Sequence, residues 1–260
     1  MSKLVWDAQG QHLYETGVDQ GVLYDIDSNG KYATGYVWNG LTAVNERPTG
    51  ADATALYANN KQYLNLIAAE KYEATIEAYT CPPQFYKHDG FGELATGVRI
   101  GQQARTPFGL TYRSMLGNDT VGDNYGYTLH MIYGALASPS EKNHTTINES
   151  PEASTLSWDI STTPVNVTGH RATACISIDS TEIVDKYKLA ILEAILYGAD
   201  ADAFDATLAY KVGDYVTHET KIYTPKAAIT AGEFDAEDWA EITTVGPRLP
   251  LPDEIAEIFG

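Results

Sequence analysis

Alternation of apolar and polar residues is the feature that most constrains how this chain folds. In KYEATIEAY (71–79), every second residue from Tyr72 to Ala78 is apolar, and the residues between them are polar. A period of two is typical of a strand with one buried face. PFGLTYRSM (107–115) and YGYTLHMIY (125–133) alternate in the same way, and TLSWDI (155–160) and ATACISID (172–179) are further predicted strands. The chain is therefore predicted to be mainly β.

A hairpin is predicted where GVLYDID (21–27) and GYVWNGL (35–41) flank the turn residues SNGK. The stretch DIDSNG (25–30) also matches the first half of a calcium-binding loop, which requires Glu at its twelfth position. That position is Tyr36. The hairpin turn is therefore favoured over a calcium site.

One amphipathic helix is predicted at DSTEIVDKYKLAILEAILYG (179–198). Asp179 and Glu182 stand at capping-box spacing, and Gly198 suits the C-terminal cap. Apolar residues recur at helical spacing from Ile183 to Ile195. Strands with a single helix indicate a β-sandwich or partial barrel with the helix packed on it.

Two stretches without strand periodicity are predicted to be long loops, NERPTGADATALYANN (45–60) and SPSEKNHTTINESPEAS (138–154). Loops of this length in a compact domain are usually functional or contact a partner. At the C-terminus, PRLPLPDEIAEIF (247–259) contains three prolines, which favour an extended arm followed by a short apolar segment. The residues between the helix and this arm, 204–243, are interpreted as an insertion.

Composition excludes several classes of protein. The formal net charge is −18, whereas nucleic-acid-binding proteins usually carry a basic face. The two cysteines, Cys81 and Cys175, are too few for a secreted disulfide scaffold and are expected to be reduced. Neither a signal peptide nor an apolar run long enough to span a membrane is recognised. We therefore expect folding in a cytoplasm and no membrane insertion.

Catalytic motifs are not recognised in the sequence. The six histidines are scattered, without the spacing of zinc ligands. Neither a Gly-x-Ser-x-Gly elbow nor a phosphate-binding loop is found. We therefore expect that the protein is not an enzyme and has no catalytic residue, metal site or cofactor.

The segment 204–243 resembles the small carbohydrate-binding modules of the 5/12 type. Tyr210, Gly213, Asp214, Val216, Tyr223 and Trp239 stand at the places of that motif. The resemblance implies that Tyr215, Tyr223 and Trp239 could contact a glycan. The alternative is that these aromatic residues form the core of a unit with little else to bury, and Tyr215 is then the best candidate for exposure.

Blocks over most of the remaining chain resemble the major tail proteins of long-tailed bacteriophages, which build the tail tube. These blocks are YETGVDQGVLYDID (14–27), GYVWNGLTAVNERPTGADATALYANNKQYLNL (35–66), TIEAYTCPPQF (75–85), IYGALASPSEKNHTTINESPEASTLSWDISTTPV (132–165) and the C-terminal PRLPLPDEIAEIF (247–259). The resemblance covers nearly all of 1–200 and 247–260, and it does not cover 204–243.

The resemblance implies a structural subunit of a virion tail. Such subunits form hexameric rings that stack into a tube, with a tape-measure protein and a tail terminator as partners and with DNA in transient, non-specific passage through the lumen. The tube would be assembled in the host bacterial cytoplasm. The implied tail-tube domain spans 1–203 and is completed by the C-terminal arm 244–260. The module 204–243 would decorate the outer surface.

Two sets of residues are assigned to assembly by this resemblance. Contacts between rings or subunits are expected in the 45–60 loop and the C-terminal arm, namely at Asn45, Glu46, Arg47, Pro48, Ala55, Leu56, Tyr57, Leu249, Leu251, Ile255, Ile258 and Phe259. Glu73 and Glu77, on the polar face of their strand, are expected to face the lumen, where acidic side chains would repel DNA.

Two other functions remain open at the level of sequence. The protein could be a carbohydrate-binding or adhesion protein that contacts a host-surface glycan through 204–243. It could also be the tube subunit of a phage-derived bacteriocin.

Overall fold

A computed structural model describes residues 3–144, 146 and 153–260. The fold is mainly β with short helices, which confirms the predicted fold class. The strands in chain order are β1 (Leu13–Ile26), β2 (Tyr32–Val37), β3 (Leu41–Glu46), β4 (Thr49–Gly50), β5 (Ala53–Ala58), β6 (Lys61–Ile67), β7 (Glu70–Lys71), β8 (Glu73–Ala78), β9 (Gly92–Ala95), β10 (Val98–Ile100), β11 (Phe108–Asn118), β12 (Gly122–Ala137), β13 (Leu156–Thr162), β14 (Cys175–Asp179), β15 (Asp202–Ala203), β16 (Val216–His218), β17 (Lys221–Pro225) and β18 (Trp239–Ile242). The helices are α1 (Lys186–Tyr197), α2 (Pro252–Phe259) and a 3-10 helix at Pro83–Lys87.

The largest sheet curls into a partial barrel. Its strand order is β2-β1-β11-β12-β13-β8-β3, with β14 paired to β12 beside β13. The two ends of this path approach each other. The Trp38 amide, directly after β2, donates to the Gly21 carbonyl of β1 at 2.8 Å and so continues the pairing of β2 with β1. Gly21 has no side chain, and a Cβ there would lie 3.0 Å from Leu41 of β3. The close approach of β3 to β1 therefore depends on a glycine.

An aromatic core fills the barrel. The rings of Trp158 and Phe85 lie 5.2 Å apart, and Trp38 contacts both. On β8, Ala74, Ile76 and Ala78 are fully buried, as the alternation predicts. The first core therefore lies on the concave side of the curled sheet.

A second core lies between the outer face of the sheet and the two helices. Leu129, Met131 and Tyr133 of β12 are buried there against α1 and α2. The Tyr24 hydroxyl donates to the Leu196 carbonyl at 2.8 Å, and the Tyr133 hydroxyl donates to the Pro250 carbonyl at 2.9 Å. Burial raises the pKa of both tyrosines. The helices therefore cover one part of the outer face only.

The helix α1 begins seven residues later than the sequence predicts. Asp179 still belongs to β14, which pairs with β12, and its carboxylate accepts bonds from the Thr181 amide and hydroxyl at 2.7 and 2.6 Å. Asp favours such local bonds over a helical position. The predicted cap at Gly198 is confirmed, because its φ is +89° and its amide donates to the Ala194 carbonyl.

The C-terminal segment begins as an extended arm, and its apolar end forms the helix α2. Only its first residues are extended, where the Leu249 amide donates to the Tyr32 carbonyl and the Gly35 amide donates to the Pro247 carbonyl. Pro252 then occupies the first turn of α2. Proline is favourable at that position because its fixed φ suits a helix and its missing N–H is not needed there.

The stretch 45–60 forms strands, so the prediction of a long loop there is wrong. Its β3, β4 and β5 pair with β8, β7 and β6, so they form one two-stranded ribbon that leaves the barrel. The ribbon ends in a two-residue turn at Asn59 and Asn60, whose φ angles are +52° and +60°. Asn tolerates this left-handed region better than most residues. The other predicted loop, 138–154, lies partly outside the described residues.

The segment 202–242 forms a separate sheet of order β15-β16-β17-β18. It follows α1 directly, and the Tyr215 hydroxyl donates to the Ala190 carbonyl of that helix at 2.9 Å. The sheet overlaps the predicted insertion 204–243. The division of the chain into a tail-tube domain and an inserted module stays a prediction.

Candidate functional site

The hairpin β5–β6 is the most exposed apolar element among the described residues. Tyr57 and Tyr63 are each 73% exposed, and Ile67 is 70% exposed. Leu56 pairs with Leu64 and Thr54 with Leu66, so three leucines share one face of the hairpin. Both faces of the hairpin therefore carry uncovered apolar side chains. An isolated two-stranded hairpin is only marginally stable in water.

Several residues predicted to make contacts between subunits belong to this ribbon. Asn45, Glu46, Arg47 and Pro48 lie exposed at its base. Ala55, Leu56 and Tyr57 all belong to β5, where Leu56 and Tyr57 are exposed and Ala55 is half-buried. The fold therefore brings these seven residues onto one projecting element. Their contact with another subunit stays a prediction.

The predicted contact residues of the C-terminus lie elsewhere and pack against their own chain. Leu249 and Ile255 are buried in the second core, and Leu251, Ile258 and Phe259 pack against it. The Lys188 ammonium also donates to the Phe259 carbonyl at 3.2 Å. These side chains therefore stabilise the fold, and a role between subunits remains a prediction for them.

The outer face of β3, β8 and β13 is polar and lies away from both helices. Glu73 and Glu77, which are predicted to face a lumen, point to this side and are half-buried. Asp159 joins them opposite Thr75 and forms an ion pair with Arg47 at 2.6 Å. Three carboxylates and one guanidinium give this face a negative balance. Its orientation toward a lumen stays a prediction.

Most of the residues predicted to contact a glycan are buried against other side chains within 202–242. Trp239 is 3% exposed, and it contacts Phe234, Phe204 and Tyr210 with ring centroids 5.3–5.7 Å apart. Tyr223 is half-buried against Phe234. These aromatic rings therefore form the core of the small sheet.

Tyr215 is not the exposed aromatic that the sequence predicts. It is half-buried against α1, and burial raises the pKa of its hydroxyl to about 12. Its hydroxyl donates a hydrogen bond to the Ala190 carbonyl. The reason is tertiary, because the sheet packs on the preceding helix through this residue.

A polar cleft that the sequence does not reveal lies between β1 and β3. His130 of β12 stands within 3.6 Å of Glu15 and of Glu46, and its ring stacks on Tyr112 at 4.6 Å. The Tyr112 hydroxyl donates to Glu46, and burial raises its pKa. These residues come from four strands. Local sequence patterns therefore give no signal for the cluster.

The described part of the chain offers neither a cluster of metal-binding side chains nor a helix that could cross a membrane. Groups of three or more His, Cys, Asp or Glu side chains suited to a metal ion are not found there. Neither described helix has the length and apolarity required to cross a membrane.

Comparison with known proteins finds a distant structural likeness. No protein-family model matches the chain, and no curated protein matches it. The chain is similar to one in a solved structure titled "Cryo-EM structure of the anti-feeding prophage (AFP) baseplate, 6-fold symmetrised". The identity is 10% and the TM-score 0.32, over 68% of this chain and 97% of the other. A TM-score of this size does not establish a common fold.

Proposed function

We propose that the protein is a structural subunit of a phage-type tail tube that assembles from copies of this chain as stacked hexameric rings. The observation that carries the proposal is the ribbon ending in the hairpin β5–β6, which exposes apolar side chains on both faces. Fully burying a large apolar side chain contributes about 1.5–3 kcal/mol. Six such side chains on one hairpin favour a partner that covers it.

Open strand edges support the same proposal. Among the described strands, β14 pairs only with β12, and β3 pairs only with β8. Unpaired edges are templates for pairing with another chain, and closed rings satisfy them. The ring of six, the tape-measure protein, the tail terminator and the virion location rest on the sequence resemblance alone.

We assign the polar outer face of β3, β8 and β13 to the lumen. Its negative balance, with Glu73, Glu77 and Asp159 against Arg47, agrees with the net charge of the whole chain. Like charge keeps DNA phosphates from binding to a wall past which they must move. The small sheet 202–242 would then lie outside the tube, beyond α1.

Electron microscopy of the purified protein tests this function. We expect rings or tubes that form above a threshold concentration, together with fast-sedimenting species in analytical ultracentrifugation. A protein that remains monomeric at every concentration and ionic strength would contradict the proposal.

A further inference from the structure

Two open strand edges face each other across the cleft between β1 and β3. Residues 13–19 of β1 pair with β11 alone, since the pairing of β1 with β2 begins at Val22. The pairing of β1 is irregular between Thr16 and Val22, and the pairing of β3 is irregular between Leu41 and Ala43. These irregularities separate the two strands and leave a cleft of about 430 Å³.

The cleft carries negative charge without a matching cation. Glu15 and Glu46 line it, and their side chains are 54% and 40% exposed. Of the described residues that line it, none is Lys or Arg. Val18 and Val44 supply apolar lining beside the two carboxylates. The cleft therefore suits a cationic group on an apolar stem.

The polar groups inside the cleft leave acceptors available. The Ser114 hydroxyl donates to Glu15 and therefore accepts the Nε2–H of His130 at 2.8 Å. The Thr42 hydroxyl lines the same cleft, and its oxygen is buried without a hydrogen-bond partner among the described residues. A buried polar group without a partner costs free energy, so an incoming donor there would be stabilising.

The tip of the β5–β6 hairpin has the complementary chemistry. Lys61 is the single charged residue of the hairpin, directly after the Asn59–Asn60 turn. It is exposed and makes no ion pair with a described residue. The ribbon from Glu46 to the tip spans up to about 40 Å if it is fully extended. The pairing from β3–β8 through β4–β7 to β5–β6 places Lys61 at the end of the ribbon opposite Glu46.

We propose that the hairpin tip of one copy enters the cleft between β1 and β3 of a second copy, where the Lys61 ammonium contacts Glu15 and Glu46. The apolar side chains of the hairpin then cover the free edges of β1 and β3. The two surfaces differ, so the contact is head-to-tail and generates rings or filaments. This inference rests on the proposed function, because it names the surface through which the copies of the chain join.

Zero-length cross-linking tests the contact directly. Unlabelled and 15N-labelled protein are mixed, assembled and treated with a carbodiimide, which joins an amine to a carboxylate that touches it. We expect peptides that link Lys61 to Glu15 or Glu46, half of them of mixed isotope because the link is between copies. Lys61→Arg should keep the assembly and abolish these links, whereas Lys31→Arg in the β1–β2 turn should leave them unchanged.

Charge reversal gives an independent test. Lys61→Glu should raise the concentration needed for assembly at least about tenfold, and Glu15→Lys should restore part of the loss in the double variant. Lys31→Glu is the control, with no expected change. If the wild type assembles and links Lys61 elsewhere, or if Lys61→Glu assembles normally, this inference is wrong while the proposed function stands. If the wild type never assembles, both are wrong.

Discussion

Strands β6 and β8 lie close together in the chain and differ in the burial of their apolar side chains. In β8, Ala74, Ile76 and Ala78 are fully buried in the barrel. In β6, Tyr63, Leu66 and Ile67 are 56–73% exposed. Both strands are antiparallel, but only β8 alternates strictly between apolar and polar residues. β8 is covered by its own chain, whereas the apolar side chains of β6 are exposed and, as we propose, are covered by another copy.

Removing a large side chain from the barrel core should give the largest effect. Trp158→Ala leaves a cavity among Trp38 and Phe85, and large-to-small changes of this kind cost about 3–5 kcal/mol of unfolding free energy. Chemical denaturation measures it. Tyr63→Ala, the matched change on the hairpin, should stay within about 0.5 kcal/mol. Equal losses in the two variants would remove the distinction between the regions.

The hairpin should matter for assembly and not for folding. The double variant Tyr57→Ser and Tyr63→Ser should raise the concentration needed for assembly at least about tenfold. Each lost tyrosine side chain removes apolar burial between subunits worth more than about 1 kcal/mol. Its thermal midpoint should not change. Tyr79→Ser is the control, since Tyr79 is 56% exposed outside the hairpin. The same assembly defect in the control would show a general surface effect.

The small sheet 202–242 extends the comparison to a third region. Trp239→Ala should loosen its aromatic cluster, because the rings of Phe204, Tyr210 and Phe234 lose their common contact. Hydrogen exchange should accelerate across 202–242, while the amides of β11 and β12 stay protected. Acceleration that spreads into the barrel strands would mean that the small sheet is part of the same cooperative unit.

The smallest effect concerns the N-terminal segment. Asp119 accepts bonds from the amides of Gly10 and His12, and these bonds hold the pKa of its carboxyl below the ordinary value of 3.8. A lowered folded-state pKa contributes stability above the unfolded-state pKa. The contribution is lost as the pH falls from about 4 through the folded-state value.

The amide signals of Gly10 and His12 report this change in NMR spectra between pH 5 and 2. They should shift together as Asp119 is protonated. Asp119→Asn should hold them near their low-pH positions at every pH. Signals that do not move over this range would contradict the assigned anchor.

The sequence predicts the barrel strands well and the β5–β6 hairpin poorly. The alternation from Tyr72 to Ala78 is sufficient to place β8, because one face is buried in the same chain. It fails for β5 and β6, where both faces are apolar and the turn consists of two Asn residues at positive φ. An Asn-Asn pair between apolar runs was the available signal for that hairpin.

Tertiary packing explains the other differences between prediction and structure. Tyr215 is covered because the small sheet packs on α1, which no local pattern encodes. The cleft of Glu15, Glu46 and His130 depends on strand order in the barrel. Leu249 and Ile255 belong to the second core because the C-terminus folds back onto β2 and α1.

Hydrogen–deuterium exchange of the hairpin tests most directly the claim that another copy of the chain covers β5 and β6. The protein is measured below and above its assembly threshold. We expect the amides of 53–67 to exchange rapidly in the dilute protein and to become strongly protected on assembly, with little change in β8. Unchanged exchange at 53–67 in assembled particles, or a protein that stays monomeric at all concentrations, would contradict it.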